Sequence, residues 1–267
     1  MDIVIQDLVF TYPSGVTALN GVSATIAAGE RVAIVGQNGA GKTTLVRHLN
    51  GIFRPTSGTV TIGDWDTTTK DIAELAARVG YVFQNPDEQL FARSIRDDVG
   101  FGPRNLGVPR DEIDDRVSRS LTRAGLAGME DEHPYHLSLS ERKRVALASV
   151  LAMETPIVVL DEPTTGQDAR GVALIGEVVG ELHGEGRTVV AITHDMDFCA
   201  ENFDRVLVMA DGRVLVDAPP AEAFTRLDAL EAAHVEPPQL ERLRTALGMP
   251  DPVTDVEGFV AQLKSRR

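Results

Sequence analysis

The sequence predicts an α/β fold on a mainly parallel sheet, with an antiparallel β subdomain at its N-terminus, an inserted helical subdomain, and a small C-terminal helical extension. Three observations predict it. Short apolar strands alternate with helical patterns at "RVAIVG", "PIVVLD" and "RTVVAITH". The opening "DIVIQDLVFTY" and "VSATIAAGERVAIVG" alternate apolar and polar residues around the turn "PSG". From Pro86 to about Met153 the pattern turns helical, with Gly and Pro as punctuation.

In chain order, "SGTVTIGDWD" reads as a further strand with a hairpin return, and Leu75 to Val79 feeds the short strand "VGYVFQ". After "PIVVLD" comes a helix from about Ala169 to His183, then "RTVVAITH", then a short helix around Cys199. The hairpin "RVLVMADGRVLVDA" closes the core. The chain therefore divides into a main domain over 1–217, with its helical subdomain at about 86–153, and an extension over 218–267. That extension carries helical patterns broken at Pro237, Pro238, Pro250 and Pro252. Leu240, Leu243 and Leu247 share one helical face, which suits subunit pairing.

Composition narrows the function classes. The 267 residues carry 26 Lys+Arg against 40 Asp+Glu, a net charge of -14, which argues against generic nucleic-acid binding. Hydrophobic content of 43% supports a sizeable core. The single cysteine, Cys199, excludes an intrachain disulfide and suits a reducing compartment. "MDIVIQDLVF" lacks the basic region and apolar run of a secretory signal, and no apolar stretch is long enough to span a bilayer. Work at a membrane would need other chains.

"GQNGAGKTT", Gly36 to Thr44, fits G-x-x-x-x-G-K-[ST] between a strand and a helix. Gly36, Gly39 and Gly41 free the backbone of Gln37, Asn38 and Ala40 to wrap a phosphate. Lys42 would neutralise the β- and γ-phosphates, and the hydroxyls of Thr43 and its neighbour Thr44 stand at the helix start, with Thr43 offered to Mg²⁺. "PIVVLDEP" delivers Asp161 and Glu162 to the carboxyl edge of the sheet, the first for the metal, the second as general base on a water. Together these define a P-loop NTPase core of the RecA-like kind, for a nucleoside triphosphate with Mg²⁺; kinases and GTPases share these two elements, and the family resemblance that follows implies ATP.

With these motifs in order, the chain resembles the ATP-binding subunits of ABC transporters. The resemblance implies that Tyr12 in "FTYPSG" stacks on adenine and that Gln84 in "YVFQNPDEQLF" contacts metal and attacking water. It implies that Asp168 in "TGQD" belongs to the D-loop and that His194 in "AITHD" contacts the γ-phosphate. "LSLSE" stands where the family carries LSGGQ. Ser138 keeps its hydroxyl for the partner's nucleotide. Leu139 and Ser140 replace glycines, and a Cβ at Ser140 would crowd a phosphate. Glu141 replaces Gln and sets a carboxylate near that phosphate.

"VFQNPDEQLF", "DDVGFGPRNLG" and "EPPQLERLRTALG" resemble energy-coupling factor transporters, which take up vitamins or transition-metal ions such as cobalt and nickel. The implied partners are a second ATPase subunit, a membrane coupling subunit and a substrate-binding membrane subunit, with no nucleic acid. The implied location is the cytoplasmic face of the cell membrane, and the altered signature favours a heterodimer over a homodimer. Asp87, Glu88, Asp97 and Asp98 form an acidic stretch that could dock basic residues of the coupling subunit or simply be solvated. Two other classes compete: a soluble ABC ATPase, for example in iron–sulfur assembly, and a P-loop small-molecule kinase. The first does not predict the Gln84 region or the extension. The second needs no Gln84, Asp168 or His194 at these positions. Nothing in the sequence names the cargo.

Overall fold

The computed structural model describes residues 1–249, 251 and 256–265. Pro250 and Pro252, expected to break the helical pattern, lie outside the described residues. Strands β1 (Ile3–Thr11) and β2 (Thr17–Ile26) pair antiparallel, and β1 also pairs with β4 (Ser57–Ile62), which returns through β5 (Trp65–Asp66). This gives a four-stranded sheet in the order β2-β1-β4-β5. Between β2 and β4 the chain passes through β3 (Arg31–Val35) and helix α1 (Lys42–Val46). Helix α2 (Ile72–Ala76) then leads to β6 (Val79–Val82).

The helical insertion holds α3 (Ile95–Asn105), α4 (Arg110–Arg123) and α5 (Leu139–Leu151). Then β7 (Ile157–Asp161), α6 (Ala169–Gly184), β8 (Thr188–Ile192), α7 (Met196–Asn202), β9 (Arg205–Ala210) and β10 (Arg213–Ala218) complete the second sheet. Its six strands run β10-β9-β3-β8-β7-β6, parallel except for β10.

This sheet is buried on both faces, which is why β3, β7 and β8 read as unbroken apolar runs. Val32 and Ile34 point into a core shared with the N-terminal sheet and α1, while Ala33 and Val35 point into the core shared with the helices. Each fully buried aliphatic side chain contributes about 1.5–3 kcal/mol. The sandwich therefore fixes its strand ends firmly, and the carboxyl ends of β3, β6, β7 and β8 meet on one edge.

The segment after Ala218 divides in its packing. Helices α8 (Pro220–Ala223) and α9 (Leu227–Ala232) bury Ala223, Phe224, Leu230 and Ala233 in the main core. Helices α10 (Gln239–Ala246) and α11 (Val256–Ser265) form a separate small cluster of Leu240, Met249 and Phe259. The expected leucine stripe is split: Leu240 packs inward, whereas Leu243 and Leu247 are 46% and 45% exposed.

The acidic stretch is largely committed within the chain. Asp98 is buried and accepts from the Phe91 and Ala92 amides. Asp87 pairs with Arg142 at 2.9 Å, and Asp97 accepts from the Ser94 hydroxyl. Asp87, Glu88 and Asp97 stay exposed, and beside them lie two exposed aromatic rings: Phe91 and Phe101 meet edge-to-face at 4.8 Å. They line a 370 Å³ groove with Tyr81, Phe83 and Met153.

Candidate nucleotide site

The loop after β3 turns sharply because its glycines adopt backbone angles other residues avoid. At Gly36 (φ 149°) a Cβ would lie 2.2 Å from the Met209 carbonyl oxygen. At Gly41 (φ 101°) it would lie 2.6 Å from that of Ala18. Gly41 caps α1 with no side-chain hydrogen bond and no acidic residue in the first turn, so the helix start is left to an external anion. Lys42 is buried and donates to the carbonyls of Gly36 (2.6 Å) and Gln37 (3.0 Å). Burial lowers its pKa, against the charges of Glu162 and Asp161.

A 320 Å³ cavity opens over this loop. Tyr12, Asn38, Gly39, Gly41, Lys42, Thr43, Thr44, Gln84, Glu162 and His194 line it. These residues come from β1, the phosphate loop, β6, β7 and β8, brought together only by the sheet order. The Tyr12 hydroxyl lies 2.8 Å from Thr44 Oγ1, and its ring stands edge-on to Phe10. Gln84 is exposed just beyond β6.

Asp161 ends β7, and Tyr81 donates to its Oδ2 at 2.7 Å. Its other oxygen, Oδ1, is buried without a hydrogen-bond partner among the described residues. Burial raises the Asp161 pKa, opposed by Tyr81 and by the charges of Arg47 and Lys42. An orphaned carboxylate oxygen beside Thr43 fits a hard divalent cation, which takes oxygen ligands.

At Glu162 the backbone turns left-handed (φ 52°), a sparsely populated conformation for a residue with a side chain. Its carboxylate is 4% exposed, and His194 Nε2 lies 2.9 Å from Oε1. That approach is a close contact, not an aligned hydrogen bond, and Oε1 remains unsatisfied. Burial pushes the Glu162 pKa up to about 7 against the pull of Lys42, and burial with Lys42 lowers that of His194. A carboxylate poised near neutrality beside a neutral imidazole suits proton transfer from water.

Ser138 and Ser140 stand apart from this cavity. Ser138 caps α5, and Glu141 closes a capping box, accepting from the Ser138 amide (2.9 Å) and hydroxyl (2.7 Å). Ser140 Oγ is turned toward Gln167 and donates to Oε1 at 2.7 Å. Asp168 caps α6 through the Gly171 amide.

Several contributors escape a reading of motifs. Lys143 is buried and donates to the Glu162 carbonyl at 3.1 Å. Gln89 bridges the Phe83 amide to the Ala146 carbonyl and Ser149 hydroxyl, joining the Gln84 loop to α5. Only the phase of α5 hinted at Lys143: it lies five residues past Ser138, on the buried side of the helix.

A glycine loop at a helix start, paired carboxylates at the end of β7 and a helical insertion define a P-loop ATPase cassette. The ABC transporter family model matches residues 19–165. The energy-coupling factor transporter ATP-binding protein of Methanocaldococcus jannaschii is 41% identical over 256 residues, 95% of this chain and 92% of that protein. The protein of that name from Methanothermobacter thermautotrophicus is 44% identical over 91% of this chain and 80% of its own. Among solved structures, cbiO1 from Clostridium perfringens, part of the ABC transporter complex cbiONQ, is 37% identical with a TM-score of 0.77, covering 92% of this chain and 98% of that one. An ATP-binding cassette solved as a dimer with ADP and phosphate is 28% identical with a TM-score of 0.75, covering 81% of this chain and 98% of its own. The chain belongs to the ABC transporter ATPases, in the branch of energy-coupling factor transporter ATP-binding proteins. It binds and hydrolyses ATP and powers an uptake transporter of that type.

Proposed function

We propose that ATP lies in the 320 Å³ cavity, with adenine on Tyr12, the phosphates in the loop Gly36–Thr44 and Lys42 on the terminal groups. Thr43 and Asp161, with Gln84 beside them, would hold a Mg²⁺ ion, which supplies charge neutralisation for the leaving phosphate. Glu162 takes the proton of the attacking water, and His194 faces the γ-phosphate. The observation that carries this reading is the convergence of Lys42, Thr43, Gln84, Glu162 and His194 on one cavity.

The cargo class is a vitamin or a transition-metal ion, taken up through a membrane coupling subunit and a substrate-binding membrane subunit. This chain sits on the cytoplasmic face as the ATPase; among the described residues no helix is long and apolar enough to cross a membrane. The groove of Phe91, Phe101 and Met153 receives the coupling subunit. It is favoured over the acidic stretch because Asp98 is buried and Asp87 and Asp97 already have partners within the chain.

A second ATPase subunit completes each nucleotide site with its signature. A heterodimer is favoured by Glu141: its carboxylate already holds the Ser138 hydroxyl and competes with any phosphate for it. This chain then lends the weaker signature, while Lys42 and Glu162 work opposite a regular one. The test is purification from host membranes through a tagged copy of this chain. A membrane subunit and a distinct ATPase should accompany it. Recovery of this chain alone, with no membrane protein, would overturn the transporter assembly.

A further inference from the structure

The signature segment is tied to the loop that follows Glu162 in the same chain. Ser140 Oγ donates to Gln167 Oε1 at 2.7 Å, and Gln167 Nε2 donates back to the Ser140 carbonyl at 3.2 Å. The two bonds close a ring between residues 27 apart in sequence. Above it, Leu139 approaches Gly166, where a Cβ would meet Leu139 Cδ2 at 3.6 Å. The room for the Gln167 amide is made by Gly171, since a Cβ there would come within 2.4 Å of Gln167 Oε1. Gln167 itself is anchored by its amide to the Thr164 carbonyl (3.1 Å), two residues past Glu162.

This arrangement answers the difficulty that Ser140 poses. The first backbone N–H groups of a helix have no acceptor within it, and an anion that uses them must approach the backbone closely. A hydroxymethyl group at position 140 that rotated freely would sweep that approach. Bonded to Gln167, it is fixed on its own chain's loop, in one rotamer.

We infer that Gln167 is a positioning residue for the signature. It holds the Ser140 hydroxyl aside, and so makes a signature without glycine able to receive the second subunit's nucleotide. The inference rests on the reading that the Ser138 segment faces that nucleotide. Gln167 acts through Ser140, so its importance depends on there being a side chain at 140 to restrain.

The test uses the transporter complex isolated from membranes through a tagged copy of this chain, with kcat and KM for ATP measured alongside thermal midpoints. Gln167→Ala is expected to lower kcat about tenfold, the size of a strong coupling between contacting residues. Ser140→Gly sets the reference, and Ser140→Gly with Gln167→Ala should return kcat to that reference, because nothing remains to restrain. Gly171→Ala should lower kcat as Gln167→Ala does, by displacing the amide; its Cβ would also come within 3.2 Å of the capping Asp168 Oδ1, so its thermal midpoint is read beside its kcat. Equal loss from Gln167→Ala in both backgrounds would overturn the inference, as would a Gly171→Ala complex with full turnover. Ser138→Ala separates the two levels. If it leaves turnover intact, the underlying reading of the signature fails. If it impairs turnover while Gln167→Ala does not, the positioning role alone fails.

Discussion

Two helix starts in this molecule face opposite ways chemically. At α1, Gly41 caps the helix without a side chain and no acid follows in the first turn. At α5, Ser138 and Glu141 satisfy each other in a capping box, and the acid sits in the first turn. Both starts carry the positive end of a helix dipole. The first is left open and surrounded by Lys42, so a phosphate completes it. At the second, the Ser138 hydroxyl is already held, so a phosphate must displace a carboxylate to use that hydroxyl. The difference teaches that sequence position in a motif does not fix anion affinity; what the N–H groups and hydroxyls already hold does.

The largest expected effect breaks the chemistry at the open start's side of the molecule. Glu162→Gln keeps size and packing but removes the base, so turnover should fall by about 10³-fold while ATP binding persists. Steady-state hydrolysis and nucleotide retention on the same preparation check it. Near-normal turnover would shift the proton's destination away from Glu162.

The same residue predicts a pH dependence. The Glu162 pKa is raised to about 7 by burial, so the folded chain holds a proton there that the unfolded chain releases lower. Hydrolysis should therefore rise through about pH 7 as the base is freed. The linked stability runs the other way: it is greatest below the unfolded value and declines as pH climbs through the folded one. Thermal midpoints across that window should slope downward in the parent chain and lie flatter in Glu162→Gln. A slope unchanged by the substitution would assign the titration to another group.

A smaller effect is expected at the closed start. Glu141→Gln retains a capping-box residue, so stability should hold, while the charge competing for the Ser138 hydroxyl is removed. ATP turnover of the assembled complex should rise about twofold to fivefold, the span of roughly 0.5–1 kcal/mol for one weakened charged hydrogen bond. A fall in turnover would mean the carboxylate assists the second subunit's site, and the contrast between the two starts would lose its functional meaning.

The open start was legible in the sequence because everything it needs is local. Glycines at 36, 39 and 41 and Lys42 lie within one turn, and the apolar run of β7 announces its carboxylates. The parallel sheet was legible as a class, since strands and helices alternate. What was not legible is contact across the sheet order. Tyr81 reaches Asp161 because β6 and β7 are neighbours, yet 80 residues separate them. Lys143 meets the Glu162 carbonyl, and Gln167 meets Ser140, only because α5 lies over that edge. The steric objection to Ser140 was sound as a statement about a Cβ; the direction of its hydroxyl required the fold.

The smallest effect concerns the chain's end and sharpens the same distinction between groups that are satisfied internally and groups that are not. Cutting before Pro219 would strip Ala223, Phe224, Leu230 and Ala233 from the main core and break the bond from the Gln37 amide to the Ala233 carbonyl at 2.9 Å. Such a deletion tests folding, not pairing. Ending the chain at Pro238 removes only α10, α11 and their small cluster of Leu240, Met249 and Phe259. The Gln239 amide ties this segment to the domain at Asp197, 2.8 Å away, a hydrogen bond worth about 1 kcal/mol net. The thermal midpoint should therefore move by only a few degrees. Subunit pairing should weaken more, because Leu243, Val256 and Val260 present apolar surface that the domain itself leaves exposed. Sedimentation with ATP distinguishes the outcomes: a shorter chain that pairs as tightly as the full one would leave α10 and α11 as a local appendage, with the nucleotide edge alone holding the two subunits together.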